Sequence, residues 1–171
     1  AKNITNADGR TLYMISDDGK TMKFEILRTD SMKFAQGGTT GVEITFPPMQ
    51  LFDEAGNPNH SSIVAYSATT GKTVNIKDAY KEKGFDFTGA KNFDKSTGYR
   101  TKSVLSVPLK NHENDIVGVM QLINATDTKT GKVISFSSDM QKQNESLASQ
   151  GAVALTNKRL VKELKNLFES F

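Results

Sequence analysis

Two stretches of this chain are each built as a pair of alternating runs around a short polar turn, and they limit its fold more than any other feature. In "RTLYMISDDGKTMKFEILRT" apolar and polar residues alternate on both sides of Asp17-Asp18-Gly19, a tight-turn sequence that predicts a β-hairpin. "SVLSVPLKN" and "DIVGVMQLINA" predict a second hairpin across "HEND". Hairpin strands are antiparallel, so the sheet is expected to be antiparallel. "GVEITF", stopped by Pro47-Pro48, is expected as a further short strand, and "TVNI" as another.

Between and after these strands the pattern changes to helix. "SSIVAYSATTG" has hydroxyl caps, apolar spacing and a terminal glycine. "AKNITNAD" reads as the tail of a helix begun upstream, and a first residue that is Ala1 reads as a fragment of something longer. After Phe136 the chain is free of proline and is expected to run helically to Phe171. Leu147, Ala148, Gly151, Ala152 and Leu155 form a face for packing on the sheet, with small residues that permit close approach. Beyond them Val161, Leu164, Phe168 and Phe171 are spaced as in a coiled-coil seam, which suits dimerisation or a following domain. The order of elements predicts an α+β domain over residues 1–157 and a helical extension over 158–171.

Composition removes several chemistries. With 171 residues and no cysteine, the chain is large enough for one core but has no disulfide, thiolate nucleophile or Cys-based zinc site. That composition fits a reducing, cytoplasmic setting. No apolar run approaches the ~18 residues of a membrane span. The 22 basic and 19 acidic residues interleave, giving a net charge of +3 and no concentrated basic face for nucleic acid. "ATTGKT" imitates the end of a phosphate-binding loop, but there a helix ends at Gly71 and a strand begins, the reverse of the order a phosphate needs. His60 and His112 are expected in exposed turns, with no second ligand at metal spacing. "DEAGNPN" lacks the alternating oxygen ligands of a calcium loop. No nucleophile, base or metal set supports catalysis within the chain, and no cofactor is expected.

The segment Lys77–Thr101 is read as a long connection holding Tyr80, Phe85, Phe87, Phe93 and Tyr99. A loop of that length rich in aromatics is expected to fold over something as a lid. Thr97 and Thr101 supply hydroxyls, Gly98 allows close approach, and Lys95, Arg100 and Lys102 add positive charge. Aromatics with hydroxyl donors suit a flat heterocycle carrying an anionic group.

"SATTGKTVNIKDAY", "FDKSTGYRTKSVLSVPLKN" and "DIVGVMQLINA" resemble GAF domains of the cyclic-nucleotide phosphodiesterase and adenylyl cyclase type, over nearly the whole chain. The resemblance implies a six-stranded antiparallel sheet with helices on one face and a ligand pocket under a lid on the other. It implies a regulatory sensor rather than an enzyme, with cAMP or cGMP as the small-molecule ligand and a homodimer formed through the C-terminal helix. A ligand-free GAF module used for dimerisation is the alternative. Carried over by position, the ligand-binding residues are Thr11 on the first strand, Ile63 and Val64 at a helix start, Phe93, Thr97 and Thr101 in the lid, and Gln121 on the last strand. Where the family carries a Lys and an Asp that form a salt bridge, this chain has Ala125 and Met140, as though the pair had been replaced as a unit. "VKELKNLFESF" resembles the helix preceding HD-type phosphohydrolase or cyclase domains of bacterial signalling proteins, which implies such an effector in the parent.

Overall fold

Both expected hairpins form. In a computed structural model that describes residues 6–37, 43, 44 and 46–169, with side chains described as far as Asn157, β1 (Ala7–Ile15) turns at Gly19 into β2 (Thr21–Thr29). β3 (Phe34–Gly37) and the two-residue β4 (Met49–Gln50) both pair with β2. α1 (Ile63–Thr70) leads into β5 (Val74–Ile76), and α2 (Thr88–Thr97) into the second hairpin, β6 (Val104–Lys110) and β7 (Ile116–Thr126). β8 (Val133–Ile134) pairs with β7 before α3 (Ser138–Glu169) closes the described chain. β7 pairs with β1 as well as β6, so the hairpins fuse into one antiparallel sheet of order β3-β2-β1-β7-β6-β5, and the class is α+β.

Three local expectations are corrected. "GVEITF" does not supply the third strand: Glu43, Ile44 and Phe46 are outside any strand, while Gly41, Val42 and Thr45 lie outside the described residues. β3 forms earlier because Gly37 can approach β2 closely at a φ of 74°, where an added Cβ would lie 2.1 Å from Glu25 O. "AKNITNAD" does not end as helix either, since Ala7 and Asp8 already belong to β1; residues 1–5 lie outside the described residues. The segment Lys77–Thr101 is not irregular throughout but contains α2.

The sheet separates two cores. On one face Tyr13, Met22, Val104 and Val119 pack with Ile63, Val64, Ala65 and Ala68 of α1. On the other, Leu105, Val107, Leu109 and Leu122 pack with Ala148 and Ala152 of α3. β6 is buried on both faces, which is why it reads as a nearly continuous apolar run. α1 is framed as its sequence implies: Ser62 caps it by accepting from Ala65 N, and Gly71 ends it in a left-handed turn at φ 72°. α3 passes the expected boundary at residue 157 without a break. The seam residues Val161, Leu164, Phe168 and Phe171 lie outside the described side chains.

Two irregularities decide which side chains face which core. Leu12 pairs with Ile26 but Tyr13 with Phe24, so Glu25 is an extra residue on β2. This bulge puts Met22 and Phe24 on the same face as Leu27, against simple alternation. Near the end of β7, Asn124 adopts a left-handed φ of 58°, and Ala125 joins the core opposite to that faced by Ile123.

Candidate functional site

A cavity of about 410 Å3 lies between the β1–β7 floor, the start of α1 and the inner side of α2. The floor is set by register: Thr11 is the direct partner of Gln121, and Tyr13 of Val119. Gly9, Thr11 and Tyr13 of β1 therefore share the cavity face with Gln121 and Ile123 of β7. On the neighbouring strand β2, Phe24 packs on Tyr13 with ring centroids 4.7 Å apart, and Phe46 packs on Phe24 at 5.5 Å. The roof is α2, which presents Ala90 and Phe93, with Phe87 at its N-cap.

Six of the seven residues expected in the site line this one cavity: Thr11, Ile63, Val64, Phe93, Thr101 and Gln121. Ile63 and Val64 have their side chains in the core, 5% and 2% exposed, so what they can offer a ligand is backbone. Their N–H groups belong to the first turn of α1, which has no preceding turn to accept them. Thr97 lies apart from them. It is exposed on the last turn of α2 and its hydroxyl donates back to Phe93 O at 2.7 Å, outside the cavity lining. An intrahelical bond of this kind satisfies a hydroxyl locally and turns it away from any ligand.

Thr101 sits differently. It is 3% exposed, and both its N–H and its hydroxyl donate to the Asp94 carboxylate, at 2.7 and 2.9 Å. Asp94, itself 4% exposed, also accepts from the Tyr80 hydroxyl at 2.7 Å. That bond to Asp94, with burial behind it, raises the Tyr80 phenol above its ordinary pKa. Arg100 lies over the Tyr80 ring, 3.6 Å from its centroid, and pairs with both oxygens of Asp78 at 2.9 and 3.1 Å. Tyr99 donates to Asp8 on β1 at 2.8 Å, and Asn124 Nδ2 donates to the Tyr99 hydroxyl and to Arg100 O. The roof is thus latched to itself through Asp94 and to the sheet through Tyr99 and Asn124. Asp94 and Asn124 were missed as organising residues; the signal was present as an acid and an amide beside hydroxyls and a left-handed turn.

One acid lines the cavity mouth. Asp86 accepts from the hydroxyl and N–H of Thr88, which holds its carboxyl below the usual range. Its own N–H donates to Ser61 O at 2.8 Å, joining the start of α2 to the start of α1. Ala125 is fully buried and Met140 packs against the same apolar cluster, so the two positions where the resemblance has a salt bridge are both apolar here. His60 packs edge-on to Tyr66 at 5.2 Å, and His112 is exposed in the β6–β7 turn. Among the described residues no group of three His, Asp or Glu side chains is placed to hold a metal, and no helix is long and apolar enough to cross a membrane.

The chain matches the model of the GAF domain over residues 1–155. A dual 3',5'-cyclic-AMP and -GMP phosphodiesterase 11A of Takifugu rubripes is 31% identical over 159 residues, 92% of this chain and 16% of that protein. A cGMP-specific 3',5'-cyclic phosphodiesterase of Drosophila mojavensis is 33% identical over 129 residues, 72% of this chain and 10% of that protein. The chain therefore spans less than a fifth of these relatives. Among solved structures, the GAF domain of a Coxiella burnetii phosphoenolpyruvate-protein phosphotransferase superposes with a TM-score of 0.60 at 12% identity, covering 92% of this chain and 76% of that one. The second GAF domain of DevS from Mycobacterium smegmatis gives 0.55 at 13%, covering 95% and 90%. These likenesses concern the fold.

Proposed function

This chain belongs to the GAF domain family, a class of small-molecule sensor and regulatory domains, and we propose that it senses a 3',5'-cyclic nucleotide, cAMP or cGMP. The observation that carries the reading is the single cavity around which six of the expected residues gather, of a volume within the roughly 300–1,000 Å3 of small-molecule sites. In this reading the base lies on the β1–β7 floor beside Thr11 and Gln121, under Phe93. The cyclic phosphate meets the Ile63 and Val64 N–H groups, where the start of α1 favours negative charge. Thr101 acts mainly by holding the roof through Asp94. Occupancy is passed to α3 and its extension over 158–171, which forms a homodimer seam and governs a phosphohydrolase or cyclase in the parent protein. The cyclic-nucleotide phosphodiesterase relatives support this direction.

Thermal unfolding with cAMP, cGMP and their 5'-monophosphates tests it. A cyclic nucleotide at ~100 times its dissociation constant adds ~2.7 kcal/mol, raising Tm by roughly 5–11 °C for a chain of this size. Thr97→Ala is expected to leave the shift within about 1 °C of the parent protein's, because that hydroxyl bonds within α2. No shift with either cyclic nucleotide sinks the proposal, and a melt that then depends only on protein concentration points to a ligand-free dimerisation module.

A further inference from the structure

α1 and α3 pack on opposite faces of the sheet, and the short edge strand β5 is bonded toward both. α1 starts at the cavity with Ile63 and Val64 and ends at Gly71, three residues before β5 opens at Val74. Midway along α1, Ser67 is buried and accepts from the Ser106 hydroxyl at 2.8 Å, and Ser106 is the pairing partner of Val74. Val74 and Ile76 join the core beneath α1, so Asn75 alternates onto the α3 face, paired with Leu105. There the two N–H groups of its amide have two acceptors. Nδ2 donates to Phe136 O at 3.0 Å, just ahead of α3, and to Gln141 Oε1 at 3.2 Å. Thr73, at the entry to β5, donates to Glu145 Oε2 at 3.3 Å.

α3 is therefore seated in two ways. From Ala148 onward it packs through apolar side chains, with Ala148 and Ala152 buried against Leu105, Val107, Leu109 and Leu122. Ahead of Ala148, Gln141 and Glu145 are tied to β5 by side-chain hydrogen bonds that are exposed to solvent, and such bonds are weak. Asn144, on the same turns, loosens the seat further. It is 1% exposed, and its Nδ2 donates to Met140 O, one turn back, at 2.8 Å. Its Oδ1 is buried with no partner among the described residues. Turning the amide over would set Oδ1 against Met140 O, so exchanging the two ends does not satisfy it. A buried acceptor left unsatisfied is destabilising, whereas an apolar side chain of similar shape in its place is not. The first turns of α3 thus separate from the sheet more readily than the turns that follow.

We propose that β5 is a strap that carries a shift of α1 to the first turns of α3, with Asn75 as the positioning residue that hands it over. Asn144 keeps those turns loosely seated, so that a small shift moves them. The inference rests on the cyclic-nucleotide reading above for what moves α1, and it specifies the route by which occupancy leaves the cavity. Hydrogen exchange over residues 141–147 tests it, together with isothermal titration of cAMP and cGMP on the same proteins. Without nucleotide, Asn144→Leu is expected to slow exchange there about ten-fold and Asn75→Ala to speed it about ten-fold, with β1 and β7 unchanged. With a bound nucleotide, the parent protein is expected to change its exchange over 141–147 by about five-fold or more. Asn75→Ala is expected to bind that nucleotide with a dissociation constant within about two-fold of the parent's, yet to show no change over 141–147. A purely structural role for Asn75 would alter the exchange without nucleotide and leave the response to it intact. Thr73→Val, which removes the bond to Glu145, is expected to weaken the response at unchanged affinity and serves as the second variant if Asn75→Ala does not fold. Nucleotide binding without a response over 141–147 in the parent, or a full response in a folded Asn75→Ala or Thr73→Val protein, overturns this inference alone. So does exchange in Asn144→Leu as fast as in the parent. Absence of binding by both nucleotides overturns the cyclic-nucleotide reading and the trigger with it, while the exchange rates without nucleotide still decide whether β5 holds the first turns of α3.

Discussion

Gly118→Ala is expected to cost about 3 kcal/mol, the upper end of ordinary overpacking. An added Cβ would stand 2.3 Å from Tyr13 O and 3.2 Å from Met14 Sδ. The first neighbour is backbone of the adjacent strand and cannot rotate away. Gly118 pairs with Met14 on β1, so relief by moving β7 away from β1 would open the pairing that joins the two hairpins. The same displacement would move Tyr13 and with it the cavity floor. Chemical denaturation should show the loss as a lower midpoint at an unchanged m-value. Gly151→Ala on α3 makes the contrast, because its Cβ would meet nothing within 4 Å. There helix propensity alone operates, and a gain of up to about 1 kcal/mol is expected. A Gly118→Ala protein as stable as the parent would mean that β1 and β7 are not in this register.

The paired alternating runs and their turns carried most of this sheet into view because each hairpin states its own partner. β7's second partner was less visible. Nothing in "DIVGVMQLINA" says that it pairs with β1 as well as β6, although apolar residues at both parities fit a strand packed on both faces. Alternation also fails at particular residues. "MKFEILR" invites Met22, Phe24 and Ile26 onto one face, but the bulge at Glu25 substitutes Leu27 for Ile26 beside the cavity. A bulge follows from three-dimensional pairing, so a single strand's pattern cannot announce it. α2 was concealed for another reason: Thr88, Gly89, Asn92, Asp94, Ser96 and Thr97 are poor helix formers. Their helix depends on tertiary support, from Asp86 at its start and from Phe87 and Ala90 against the cavity side of the core. Position along the chain was enough to gather six of the expected residues around one cavity, but Thr97 and Thr101, equal candidates as sequence, separate once one hydroxyl turns into its own helix and the other into a buried carboxylate.

That carboxylate is where the largest effect on the roof is expected. Asp94→Ala removes the acceptor for the Tyr80 hydroxyl, the Thr101 hydroxyl and the Thr101 N–H. Tyr80 and the Thr101 hydroxyl can reorient, but a backbone N–H at a 3%-exposed residue has nowhere to turn. The expected cost is about 3 kcal/mol, one charge-assisted hydrogen bond together with an orphaned buried donor. The loss should be local before it is global. Arg100 would still hold Asp78, and Asn124 would still hold Arg100 O, so both ends of the roof stay attached while its middle opens. Hydrogen exchange should therefore accelerate across Ala79–Thr101 by about two orders of magnitude while the paired amides of β1 and β7 remain protected. Asp94→Asn, which keeps one oxygen able to accept from Thr101 N, should show roughly half the destabilisation. If Asp94→Ala left exchange in the roof unchanged, Asp94 would be a passenger and the roof would be held by packing of Phe87 and Ala90 alone. If instead β1 and β7 lost protection equally, the roof and sheet would unfold as one unit, and a lid that opens on its own, which the sensor reading requires, would be lost with it.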